Sequence, residues 1–394
     1  MTEVKIEPKM EFKKTNIEAF GRYYTGTPLI SEYFGSNPWI SFGPENDFPQ
    51  EIIRLYQNAS PMHRVLIDRK VDMIAGKGFD QDTPFIKNEY FKEDLNEIAT
   101  KVAYDKVIFN GFYLMVSWDK TFKSISRIQH LPYEKMRIAK YDCDSKRNPY
   151  QSEGFYFSKD WLNHRRKDNY VIFYPEYDVI KNEDKEYRQN NPDQVMFFKT
   201  YSPGMDYYTL PSYMPALNDI KTSYEISTYH LKNIQNGFAP QMIIINKSGI
   251  PTPEQREEER RGVVATMTGA ENTADITMVY AENAEKAPEF VQIQPNSSDQ
   301  RFRDLRMSIA STIMQVHKFT SAIAGIETSG KLGSSQEIIE QLEYMQSTVV
   351  SPIQSDIEKA FMKVAKINGQ DEILTLKKYT IFDLAKSIEN NPIK

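Results

Sequence analysis

Apolar and polar positions change their period along the chain, and the changes divide it. Residues 1–48 hold glycine, proline and aromatic clusters (GRYYTGTPL, GSNPWISFGP) with little periodicity, which predicts an extended arm. A period near 3.6 follows. It predicts a helix at FPQEIIRLYQN, and a second that starts at Ser60-Pro61 and stops at Gly76. A third covers roughly 91–109 and ends before Gly111. From 112 to 201 the period falls to 2. FYLMVSWD, SISRIQHL, GFYFS, YVIFY and QVMFFKTY are short aromatic or β-branched runs between Asn, Asp, Pro and Gly clusters, so this segment reads as β-structure packed on the helices before it.

Helical spacing returns after YSPGMDYYTLPSYMP. Leu217, Ile220, Tyr224, Leu231, Ile234 and Phe238 trace a narrow heptad seam, broken at Ser227, and Gly237 and Pro240 end the helix. A small insert comes next: the strand MIIIN, a charged helix with a capping box at Thr252 and Gln255, and the strands ITMVY and FVQIQ. A second narrow-striped helix runs from about Asp299 to His317 with Phe302, Leu305, Ile309, Ile313 and Val316 on one face. After a glycine-containing loop, a long helix starts at Ser334, closes a capping box with Glu337, and keeps its apolar period from Ile338 to Val364 before Gly369. Pro352 in its interior predicts a kink. The tail from 370 to 394 is expected to hold one further short helix. The fold class expected is α+β, divided at 1–48, 49–214, 215–240, 241–297, 298–318, 319–333, 334–369 and 370–394.

Composition narrows the classes. At 394 residues the chain can bury a large core in two or three domains, and 40% hydrophobic with 26% charged residues is ordinary for a soluble protein. No apolar run reaches the roughly 18 residues of a membrane span, and the N-terminus MTEVKIEPKMEFKK lacks the apolar core of a signal peptide. Cys143 is the single cysteine, which excludes an intrachain disulfide and fits a reducing compartment. The five histidines have no metal-ligand spacing. A net charge of −5 argues against a general nucleic-acid binder. The 24 tyrosines and 22 phenylalanines serve either a Tyr-rich core or subunit contacts.

Two stretches imitate known chemistry. AGIETSGKLGSS comes within one residue of a P-loop, but Leu332 stands where Mg²⁺ needs a hydroxyl, and the residues before it have helical rather than strand spacing. A nucleotide hydrolase would draw on this loop and on an acid such as Glu327. Asp142, Asp144 and Glu153 echo a calcium loop, but Lys146 takes a ligand position and Arg147 replaces the required glycine, so a solvated turn is expected there. No catalytic, cofactor or metal residue is assigned.

The two narrow-striped helices flank the insert, so they should run antiparallel and carry it at their far end. Each seam covers only part of one face. Neighbouring copies around an axis would complete it, as heterologous contacts do in cyclic oligomers; a monomeric bundle with the same stripes is the alternative. The stem-packing candidates are Leu217, Tyr224, Leu231, Phe302, Leu305 and Ile309.

The stretch 200–246 resembles the stem-entry region of tailed-bacteriophage portal proteins, the head–tail connectors. The residues that carry the resemblance are Pro211 or Pro215, Ala216-Leu217, Glu225, Tyr229, Asn236-Gly237 and Pro240. Asp299, Phe302, Arg306, Ile309 and Ala310, then Val316 and Gly325, resemble the second stem helix and the loop after it. SSQEIIEQLEYMQSTVVSPIQSDIEKAF resembles the next helix, including its Pro352. One departure is Lys318-Phe319-Thr320, where the family often has a proline.

The resemblance implies a structural, non-enzymatic dodecameric ring at one capsid vertex in the virion, assembled in host cytoplasm. Double-stranded DNA would pass through its channel. Partners would be the terminase large subunit, the major capsid protein and a head–tail adaptor. Residues 1–210 would be mostly wing, 215–240 and 298–318 stem, 241–295 clip, and 319–333 a tunnel loop with Lys318, Thr320, Gly325, Glu327, Gly330, Lys331 and Gly333. Glu257, Glu258, Arg260 and Arg261 on the clip helix would meet the motor or adaptor. A non-viral multimeric helical scaffold is the further alternative.

Overall fold

The structure is a computed structural model that describes residues 32–79, 93–140, 152–164, 166–235, 242–246, 251–258, 261, 276–280, 298–324, 335–371 and 373–378. Three helices open the body: α1 (Phe48–Asn58), α2 (Pro61–Ala75) and α3 (Leu95–Phe109). Ser60 caps α2 by accepting from the His63 amide, and Asp94 caps α3 by accepting from the Glu97 amide at 2.7 Å. Asn110, at φ 62°, ends α3 in the left-handed conformation that an asparagine tolerates better than most residues.

The predicted β segment forms two antiparallel sheets. Strands β3 (Gly111–Trp118), β4 (Ile125–Leu131) and β8 (Asp193–Lys199) pair in the order β4-β3-β8. Strands β5 (Met136–Ile138), β6 (Gly154–Ser158) and β7 (Val171–Pro175) form the second, which joins the first where Glu176 bridges Val195. Every residue of β3 is buried, as a central strand covered on both faces requires. Gly154 is obligatory in β6, because a Cβ there would collide with the Tyr174 carbonyl and the Phe173 ring. A short helix, α4 (Lys185–Asn190), lies between β7 and β8.

The arm expected over 1–48 ends earlier than its sequence suggests. Residues 32–33 (β1) pair with Ser41–Phe42 (β2), Trp39 bridges Ala139, and Ile40 and Phe42 are fully buried. Phe42 stacks on Tyr208 with ring centroids 4.4 Å apart. The apolar run Trp-Ile-Ser-Phe outweighs the flanking Gly and Pro signals. Residues 1–31 lie outside the described residues.

Arg137 is the largest side chain with no solvent exposure. Its guanidinium donates to the Asn46 carbonyl (2.7 Å) and side-chain oxygen (2.5 Å), to Gln50 Oε1 (3.0 Å), and to the Met136 and Glu134 carbonyls (2.7 and 3.1 Å). It also lies 4.9 Å from the Trp161 ring. A buried charge held this way is tolerable because its donors are satisfied. It welds α1, β5 and the segment before α1 into one unit.

Beyond β8, Leu217–Gln235 forms α5, and Ser298–Val316 forms α6. Tyr213 at the start of α5 lies by His317 at the end of α6, while Tyr229 lies by Phe302, so the two helices run antiparallel as expected. Between them come β9 (Met242–Asn246) and β10 (Ile276–Tyr280), which pair in parallel from Ile276↔Met242 to Tyr280↔Asn246. FVQIQ lies outside the described residues.

A short helix α7 (Ser321–Ala324) precedes α8 (Ser335–Met345). The kink predicted at Pro352 takes the form of a π-helical turn over Gln346–Val350, followed by α9 (Ser351–Ile367). Pro352 has no N–H to give, and its ring needs room at the Thr348 carbonyl; widening the turn supplies it. Of the tail expected to hold a short helix, residues 373–378 are described and are not helical, while 379–394 lie outside the described residues. Leu374 and Leu376 are buried, and Leu376 bridges Phe79. Two apolar side chains at period 2 explain the strand-like path.

Candidate functional site

The α5–α6 hairpin is built in two halves. At its base Leu217, Ile220, Ile226, Ile309, Ile313 and Met314 are buried. The base is also tied to the body: Lys221 Nζ lies 3.3 Å from Glu51 on α1, and the Ser223 and Ser60 hydroxyls are 3.1 Å apart. Further out the seam opens. Tyr224 and Tyr229 are each 47% exposed, Leu231 55%, Leu305 43% and Met307 61%. Phe302 is partly covered by Tyr229 and His230, with centroids at 5.1 and 5.3 Å.

Of the six packing candidates, then, Leu217 and Ile309 are sealed, Phe302 is half-covered, and Tyr224, Leu231 and Leu305 face outward. Sequence reasoning missed Ile226, Met307 and Met314, which lie off the narrow stripe; the break at Ser227 was the signal that the packed face shifts there. Covering a half-exposed side chain of this size returns on the order of 1 kcal/mol. Tyr224 and Leu231, seven residues apart, share one face of α5, whereas Tyr229 turns toward Phe302.

Where α6 meets the body, two imidazoles touch. His63 Nδ1 lies 2.9 Å from His317 Nε2, both rings are fully buried, and Tyr213 flanks them at 4.6 and 5.2 Å. Burial holds His63 neutral, lowering its pKa to about 4, with Lys70 adding to the effect. Burial, Lys70 and His63 together lower His317 to about 2. Lys70 is itself buried and 5.9 Å from the Phe319 ring centroid; desolvation first, then Lys318, lowers it to about 8. The outer nitrogens, His63 Nε2 and His317 Nδ1, have no partner among the described residues, at a cost of about 1–3 kcal/mol each.

The loop after α6 starts anchored. Phe319 donates its amide to the Met314 carbonyl and Lys318 to Gln315, both at 2.9 Å, which closes α6 with Lys318 at φ 60°, in the position usually taken by glycine. Phe319 and Ile323 are buried, and Thr320 bonds Gln341 of α8. Of the expected tunnel-loop residues, Lys318 and Thr320 are exposed, while Gly325, Glu327, Gly330, Lys331 and Gly333 lie outside the described residues. The near-P-loop is preceded by helix, not strand, so the phosphate cradle of that motif has no platform.

On the insert, the capping box forms as expected: the Thr252 amide donates to Gln255 Oε1 (3.0 Å) and the Gln255 amide to Thr252 Oγ1 (3.4 Å). Glu257 and Glu258 are exposed, and Arg261 pairs with Glu257 at 3.5 Å, an exposed ion pair worth little by itself. Arg260 lies outside the described residues, as do Asp142 and Asp144 of the calcium-like stretch. Among the described residues no group of three His, Cys, Asp or Glu side chains is placed to hold a metal, and no helix is long and apolar enough to cross a membrane.

No family model and no curated relative matches the chain. Solved structures do. Over 87% of its length the chain is similar to 88% of a chain in the neck of a native gene transfer agent (GTA) particle computed with C12 symmetry, with a TM-score of 0.54 and 14% identity. A chain in the neck of an empty GTA particle, computed with C6 symmetry, gives a TM-score of 0.54 at 14% identity, covering 86% of this chain and 87% of that one. A crystal structure of an HK97-family phage portal protein from Corynebacterium diphtheriae covers 87% and 97%, at 11% identity and a TM-score of 0.43. At these identities the likeness to the neck chains is one of fold.

Proposed function

We propose that this chain is a phage portal protein: a structural subunit whose copies close into a ring at one vertex of a tailed-bacteriophage capsid. The observation that carries the reading is the apolar surface left open on the outer hairpin, where Tyr224 and Leu231 share one face of α5 and Leu305 and Met307 of α6 are also half-exposed. It lies on a chain similar in fold, over 87% of its length, to a chain of a neck computed with C12 symmetry. An edge that one polypeptide leaves open on a stiff helix pair is suited to heterologous contact with the next copy, and repeated rotation closes such contacts into a ring.

In this reading α5 and α6 are the stem, the β9–β10 insert is the clip, and the body is the wing. Twelve copies, the number the C12 neck suggests, would each bring −5, giving the ring a charge of about −60. A conduit must hold duplex DNA loosely, because many Lys–phosphate contacts release counterions and bind tightly. Lys318, exposed at the end of α6, is the candidate cation facing the DNA, with Lys331 beyond it. The exposed Glu257, Glu258 and Arg261, with Arg260, form the candidate surface for the terminase large subunit or the head–tail adaptor. The wing would meet the major capsid protein, and ATP hydrolysis would belong to the docked motor. The protein would be made in the host cytoplasm and end in the virion.

Light scattering of the purified chain tests this. A large oligomer for the native sequence that falls to a folded monomer in the double variant Tyr229→Glu, Leu231→Glu supports the reading. A native chain that stays at 45.9 kDa at high concentration and with capsid partners present refutes it.

A further inference from the structure

We infer that the His63–His317 couple is a proton-sensitive latch that holds the base of the hairpin, and the loop leaving it, against the body. This goes beyond the portal reading and does not depend on it. The contact joins residues 254 positions apart: His63 in the first turn of α2, and His317 immediately after α6. Tyr213 packs against both rings and donates its hydroxyl to the Ile108 carbonyl at 3.1 Å, so the couple clamps α2, α3, α6 and the entry to α5 at one point. Lys318 and Phe319 follow directly, so release at His317 frees the origin of the loop.

The chemistry of the pair makes it responsive. A 2.9 Å contact between two imidazole nitrogens needs one N–H and one lone pair. A first added proton goes to the open outer nitrogen of the donating ring and leaves the bond intact, but it creates a cation in a closed site. A second must go to the facing acceptor, and two N–H groups then oppose each other.

The surroundings offer no compensation. α2 contributes Lys70, the segment after α6 contributes Lys318, which acts on Lys70, and the turn before α5 contributes the neutral Tyr213. The Glu51–Lys221 pair of α1 and α5 acts on neither ring, nor does any other carboxylate among the described residues. The charge that acts on both rings, that of Lys70, is positive. Protonation is therefore relieved by opening the junction to water rather than by a counter-ion.

Hydrogen exchange on the full chain, with rates corrected for intrinsic pH dependence, tests the latch at pH 7.5 and 5.0. Titration of His63 by itself, at 6.5 when open and near 4 when closed, raises the opening equilibrium roughly 30-fold over that interval, and release of His317 raises it further. The increase is expected in peptides covering 309–324 and not in those covering α3 and β3. His63→Gln with His317→Gln should remove the pH response. Lys70→Met, which removes a neighbouring cation without touching either imidazole, should shrink it. An unchanged 309–324 in the native chain overturns the latch. So does an equal rise across the core, or an undiminished response in either a folded double-Gln variant or Lys70→Met.

Discussion

The body and the outer half of the hairpin use the same kinds of residue to opposite ends. In the body, aromatic side chains close on one another: Tyr113 stacks on Phe197 at 4.2 Å, Phe109 on Tyr133 at 4.4 Å, and Phe79 meets Phe361 edge-on at 5.2 Å. Two hydroxyls inside it find acceptors, Thr209 at the Phe109 carbonyl (2.6 Å) and Tyr208 at Ile40 (2.5 Å). On the outer hairpin, Tyr224, Tyr229, Leu231, Leu305 and Met307 stay about half in water. The body buries a continuous aromatic core, though Phe34, Val179, Ile180 and Tyr201 on its surface are also 61–81% exposed. The hairpin is complete only as a pair of helices, and its outer seam is left for something else to cover. Exposed apolar side chains scattered singly mean little, but Tyr224 and Leu231 fall on one face of one helix.

The largest effect should separate the two regions outright. Phe361→Ala opens a cavity in the sealed body and should cost about 3–5 kcal/mol in thermal or denaturant unfolding, whatever the state of assembly. A loss below about 1 kcal/mol would mean that the body is looser than its packing indicates.

Acid comes next, and it acts at the border between the regions. His63 is held neutral in the folded chain but takes a proton near pH 6.5 once unfolded. The stability contributed by His63 is therefore full above pH 6.5 and declines as pH falls, levelling near pH 4 after a loss of about 3 kcal/mol, while His317 extends the decline to lower pH. Denaturant midpoints across that window, compared between the native chain and His63→Gln, check the sign and the size.

Smaller effects sharpen the contrast on the hairpin side. Leu231→Ala and Leu305→Ala should change the stability of the isolated chain by no more than about 0.5 kcal/mol. The same variants should weaken self-association by about 1 kcal/mol or more at each contact, read from the concentration dependence of mass. Equal losses in both measurements would place these residues inside the monomer's own core. Most local of all, Thr252→Ala should cost about 1 kcal/mol within the insert helix only, seen as faster amide exchange over 253–258 with oligomer mass unchanged.

Much of this architecture was written in periodicity. The helices at 48–58, 61–75 and 298–316 and the strands of the larger sheet follow directly from apolar spacing and from caps at Ser60, Thr252 and the Pro352 kink. What periodicity missed was decided by tertiary partners. β5 is only Met-Arg-Ile, and its central Arg137 reads as surface until five acceptors surround it. Trp39, Ile40 and Phe42 hid among glycines and prolines, yet all three are buried, Phe42 against Tyr208 and Trp39 against Trp161. The outer seam was legible as a stripe, but spacing alone does not tell a buried stripe from an open one; Leu217 and Leu231 look alike in sequence and differ from 2% to 55% exposed. The His63–His317 junction was not legible at all, since nothing local links two histidines so far apart in the chain.

Whether identical neighbours cover the open seam is settled most directly by electron-microscope class averages of the purified protein viewed down its long axis. The account predicts a closed ring of repeated subunits, about twelve if it matches the C12 neck, around an opening wide enough for duplex DNA. Particles of single-chain size, or oligomers with no axial opening, would contradict it.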